Sequence, residues 1–76
     1  MSLKTDFEYF LHYKLPKIEL ANKVYLFNLD KANYIIFKKE NDEYKMYIGY
    51  DIGTVVIKFD SSKAAKHISF KPRKHE

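Results

Sequence analysis

Acid–base, nucleophilic or metal chemistry would have to come from three histidines, ten carboxylates and a few hydroxyls, because the 76-residue chain has no cysteine. Their spacing assembles no site. His12, His67 and His75 lie far apart, and none stands at metal-ligand spacing from a carboxylate. His12, next to Tyr13, reads as a packing or solvent-facing residue. Ser61-Ser62 reads as a helix-cap signal, and Asp42, Asp51 and Asp60 mark turns and a cap. There is no glycine-rich phosphate loop. The sequence points away from catalysis and calls for no metal and no cofactor.

Charge and rings point to binding instead. Residues 63–76 hold five basic residues (Lys63, Lys66, Lys71, Arg73, Lys74) and one acid, which accounts for the whole net charge of +4. The rest of the chain is balanced and rich in tyrosine. A neutral body with a basic end suits a polyanion or an acidic partner. A bland reading stands beside it: a solubilising tail that complements a helix C-terminus.

These groups need a frame, and the chain is long enough for one domain. We expect that domain over 1–70, followed by a mobile basic tail at 71–76. A chain this short buries only about 60% of its unfolded surface, so a partner would stabilise it. Thirteen Tyr and Phe residues argue against disorder. No apolar run approaches the roughly 18 residues of a membrane helix, so no membrane insertion is expected. The missing cysteines permit a cytoplasmic location.

The apolar spacing over 5–14 predicts a short helix capped by Thr5 or Asp6, with Phe7, Phe10 and Leu11 on one side. Residues 17–27 fit two patterns. Ile18, Ala21, Val24 and Tyr25 recur as on a helix, whereas residues 24–29 alternate as in a strand; the helix is preferred, with Pro16 in its first turn. Residues 33–39, 43–50 and 54–60 predict three strands joined by turns too short for parallel crossovers. Asp60 or Ser61 is then expected to cap a short C-terminal helix. The expected fold is α+β: a three-stranded antiparallel meander with an N-terminal helix or helices and the C-terminal helix on one face.

Period-2 alternation divides the strands. Ile35, Phe37, Tyr44, Met46, Ile48, Val55, Ile57 and Phe59 form the face that needs covering. Tyr34, Ile36, Lys38, Lys45, Tyr47, Thr54, Val56 and Lys58 form the other. Lysines there can neutralise phosphates, and tyrosines can stack on bases or ribose. A solvated face with three ordinary lysines is the plain alternative. The apolar Ile36 and Val56 favour a contact surface.

Residues 20–68 bear a likeness to a known family. Ala21-x-Lys23-Val24-Tyr25-Leu26, Lys31-Ala32 before the first strand, and Asp51 in the second turn carry it. In these the chain resembles the 9 kDa subunit of the eukaryotic signal recognition particle. It departs from that family in its aromatic segment before Pro16 and its shorter final helix. The resemblance implies an RNA-binding ribonucleoprotein subunit that pairs with a 14 kDa subunit of the same fold. The joined sheets would bind the Alu region of the particle's RNA and slow translation during targeting. By position it implies Lys23 and Lys31, with Lys38, Lys45 and Lys58, as RNA contacts. The residues themselves add Tyr34, Tyr47, Lys71, Arg73 and Lys74. Uncovered sheet edges would serve the same-fold partner or a second copy. The rival expectation is a small phage-type inhibitor or adaptor that grips a protein with Phe7, Tyr9, Phe10 and Tyr13.

Overall fold

A computed structural model describes residues 2–74. Helix α1 (Leu3–Tyr9) leads into one π turn at Phe10–Lys14. Strands β1 (Lys17–Leu20) and β2 (Lys23–Leu26) form a hairpin. A 3-10 turn at Leu29–Lys31 precedes β3 (Tyr34–Glu40), β4 (Glu43–Tyr50), β5 (Gly53–Phe59) and β6 (Ala65–Pro72). The last four make one antiparallel sheet in the order β3-β4-β5-β6, and β1-β2 make a second.

This corrects the expected three-stranded meander with a C-terminal helix. Residues 17–27 are a hairpin because Ala21 and Asn22 both take positive φ, 52° and 64°. That is the two-residue turn whose twist matches paired strands. The carbonyl of Pro16 accepts from the Phe27 N–H at 2.9 Å and closes the open end. Asn41 and Asp42, with φ of 48° and 64°, make the same kind of turn between β3 and β4.

The C-terminal helix is instead strand β6. Asp60 caps no helix; its carboxylate accepts from the Ser62 and Ala64 N–H groups at 2.9 and 3.2 Å. The same side-chain-to-backbone chemistry serves helix caps and tight turns alike. The Ser62 hydroxyl, first among several contacts, holds the Asp60 carboxyl below its ordinary range. The tail expected at 71–76 starts inside β6, since Lys71 and Pro72 are strand residues. His75 lies outside the described residues.

The core lies between the large sheet and the N-terminal elements. Phe10, Leu15 and Ile18 meet Tyr44, Met46, Ile48, Ile57 and Phe59. Met46, Ile48 and Ile57 are fully buried. Phe7 stacks on Phe37 at 5.3 Å, and Phe10 lies 4.4 Å from the Phe59 ring. Phe10 is fully buried and Phe7 and Tyr9 are half-buried, so of the aromatic quartet proposed to grip a protein only Tyr13 is exposed.

Ser2, not Thr5 or Asp6, caps α1 by accepting from the Thr5 N–H at 3.2 Å. Asp6 is buried instead. Its carboxylate accepts from the Tyr44 hydroxyl at 3.2 Å and lies 3.6 Å from the Lys63 ammonium. Lys63 also covers the Tyr9 ring at 4.6 Å. This cluster ties α1 to β4 and to the β5–β6 turn.

The Asp6–Tyr44 contact has a pH consequence. Burial first, then the bond to Asp6, pushes the Tyr44 phenol above its ordinary value. Burial raises Tyr50 as well. A raised tyrosine pKa adds stability that is complete below the unfolded value of about 10 and is lost as the pH climbs through the folded one. Thermal melts should therefore show the midpoint falling above about pH 10. Tyr44→Phe should make that fall shallower; an unchanged slope would assign it to other groups.

Candidate functional site: the open face of the large sheet

The N-terminal elements cover one face of the large sheet and leave the other open. Strand register orders that open face into rows. Glu40 faces Glu43 at one end. Next, Lys38, Lys45, Lys58 and His67 stand opposite one another across all four strands. Ile36, Tyr47, Val56 and Ser69 form the third row, and Tyr34, Gly49, Thr54 and Lys71 the fourth. The face thus runs from acidic, through basic, to apolar and then hydroxyl-bearing.

The lysine row is an electrostatic cost in the free protein. Neighbouring strands lie about 4.8 Å apart, and like charges directly opposite are destabilising. Glu40 relieves part of this. Its carboxylate is 3.1 Å from the Lys45 ammonium and 3.6 Å from that of Lys38. The Lys45 bond, then the Lys38 charge, hold Glu40 below the usual carboxylate range, and the same bond raises Lys45. Lys58 has no ion-pair partner among the described residues. At the β-bulge beside Lys58 and Phe59, the extra residue Lys66 pairs with Glu43. Lys66 in turn holds the Glu43 carboxyl low.

The tyrosines sit beside this row. The Lys38 ammonium lies 5.4 Å from the centre of the Tyr47 ring. Val56 is buried on this face although it is outside the main core, so neighbouring open-face side chains already shield it. Tyr34 and Ile36 are about half exposed, at 47% and 52%. Gly49 is required by Tyr34: a Cβ at that position would strike the Tyr34 ring, which lies across β4. The Tyr34 hydroxyl reaches Thr54 Oγ1 at 3.3 Å.

Not every expected contact joins this face. Lys23 is at the base of the β1–β2 turn in the other sheet. Lys31 belongs to the 3-10 turn and borders a depression with Tyr50, Asp51 and Ile52. Lys74 is exposed beyond β6. Arg73 is exposed just beyond β6, where its backbone N–H donates to the Ile52 carbonyl at 2.9 Å. His67 and Ser69 enter the face through β6, and reading 62–70 as a helix missed them. Their signal was the alternation of Ile68 and Phe70 with His67, Ser69 and Lys71.

Both outer edges carry features that oppose added strands. β3 ends in Lys38, Lys39 and Glu40, and β6 has its bulge and ends in Pro72. The helix–three strands–helix order behind the likeness to the signal recognition particle subunit is not this chain's order; Ala21–Leu26 are a turn and strand β2. Among the described residues no group of three or more His, Asp or Glu could hold a metal ion, and no helix is long and apolar enough to cross a membrane. No family model, curated protein or solved structure matches the chain.

Proposed function

We propose that this protein is a non-enzymatic RNA-binding protein that holds single strands on the open face of its large sheet. One observation carries the reading: the register lines up Lys38, Lys45 and Lys58, with His67, across four adjacent strands. Such a row is unfavourable alone and favourable under a line of phosphates. Glu40 and Glu43, paired with Lys38, Lys45 and Lys66, bound the row at one end. The apolar and tyrosine row on the other side offers surfaces on which unpaired bases stack. Tyr34, Thr54 and Ser69 add hydroxyls that suit a ribose 2′-OH.

The reading rests on this arrangement and not on the family likeness. It is tested by fluorescence anisotropy with labelled oligouridine, its DNA counterpart, an RNA duplex and polyglutamate, each over a salt series. Oligouridine should bind most tightly, with a log–log salt slope of about −0.7 for each phosphate contact. Equal binding of polyglutamate would reduce the face to indiscriminate anion attraction. Salt-insensitive binding would remove the lysine row from the argument.

A further inference from the structure

We infer that the groove at the hydroxyl end of the open face is a site for one unpaired nucleotide, with the base between Tyr34 and Tyr47 and the phosphate on Lys71 and Arg73. This deepens the RNA-binding reading and rests on it. The groove has a volume of about 550 Å³. That lies within the range of about 300–1,000 Å³ usual for small-molecule sites.

Its composition matches a flat aromatic ring that carries an anion. Tyr34 and Tyr47 give aromatic surface, and Val56 gives apolar surface beneath. The Gly49 backbone admits Tyr34 across the sheet, so the groove depends on the absence of a side chain there. Tyr34 Oη and Thr54 Oγ1, 3.3 Å apart, can each donate or accept towards a base edge or a sugar hydroxyl. Lys71 and Arg73 line the groove's rim and have no carboxylate partner among the described residues. Lys71 is held by pairing with β5, and the Arg73 backbone by its bond to Ile52. The backbone at both residues is thus held by the fold, and their exposed side chains border the groove. The lysine row is two residue pairs away along the strands, roughly 14 Å at the usual strand rise. A strand whose phosphates follow that row can turn one terminal nucleotide into the groove.

The experiment titrates the full chain with 5′-AMP, adenosine and inorganic phosphate, followed by amide NMR. Anisotropy with oligouridine is run on the same samples. AMP should shift Tyr34, Tyr47, Thr54, Lys71 and Arg73; adenosine should shift Tyr34, Tyr47 and Thr54 and spare the two cations, and phosphate should shift the two cations alone. Tyr34→Ala should weaken AMP binding by about tenfold, the scale of one lost base stack, and Arg73→Gln by about tenfold, the scale of one lost charge-assisted hydrogen bond. Lys23→Gln, in the other sheet, should leave AMP binding unchanged. Scattered AMP shifts, or shifts confined to the lysine row, would overturn the inference. If oligouridine binds and AMP leaves the groove unperturbed, the groove site fails and the RNA reading stands. If AMP fills the groove while oligouridine does not bind, the RNA reading fails and a mononucleotide site remains. If neither binds, both are wrong.

Discussion

Phe10→Ala should cost about 3–5 kcal/mol, enough to leave little folded protein on mild heating. Phe10 is fully buried, and its ring lies 5.2 Å from Phe37, 5.3 Å from Tyr44 and 4.4 Å from Phe59. It is the point where the N-terminal segment meets β3, β4 and β5. Truncation removes the transfer energy of a whole ring and leaves a cavity among side chains held by three strands. A domain of this size has total stability of only about 4–11 kcal/mol. The melting midpoint should fall by roughly 12 °C or more. Urea titration should show the midpoint falling while the slope holds, since the unfolded chain exposes the same surface. A loss under about 1 kcal/mol would mean that the helix and π turn are not docked on the sheet as described.

Those ring contacts also show what the sequence could reveal. The alternation over residues 34–59 separates Met46, Ile48 and Ile57 from Lys45, Tyr47 and Lys58 without any structure, because a strand has only two faces. That each of these strands puts one lysine on the open face was legible too; their alignment into a row rests on turns shorter than the sequence reading has them. A two-residue turn at Asn41-Asp42 pairs Lys38 with Lys45, and one at Asp51-Ile52 pairs Lys45 with Lys58. Residues 17–27 were harder. Ile18, Ala21 and Val24 satisfy helix spacing, and only the positive φ of Ala21 and Asn22 decides for a hairpin. Nothing in an alanine announces that conformation. The last element was misread for a different reason. Asp60-Ser61-Ser62 supplies the same hydrogen bonds to a helix start or to a turn, and Ala64, Ala65 and Ile68 fit a helix face. The better clue was in β5. Val55, Val56 and Ile57 form an unbroken apolar run, which as a bare sheet edge would invite pairing with another chain. β5 therefore needed a partner beyond it, and β6 is that partner.

Changing Lys38, Lys45 and Lys58 together to Gln should flatten the salt dependence of oligouridine binding by roughly two units, at about 0.7 for each lost phosphate contact. Affinity at low salt should fall by orders of magnitude. The triple variant should melt close to the parent, because removing a row of like charges that face one another offsets the loss of partly exposed ion pairs to Glu40 and of the Lys38–Tyr47 contact. A binding loss with unchanged melting therefore cannot be put down to unfolding. Glu40→Gln is the converse test. The Glu40 carboxylate occupies Lys38 and Lys45 in the free protein, as a phosphate would in the complex. Removing it should tighten binding and steepen the slope, since both ammonium groups are then open to the RNA. Lys71→Gln should weaken oligouridine binding less than the triple change, because it lies outside the row. The lysine-row site would be refuted if the triple variant bound with unchanged affinity and slope while loss of Lys71, Arg73 and Lys74 abolished both. The basic C-terminal segment would then be the whole binding site.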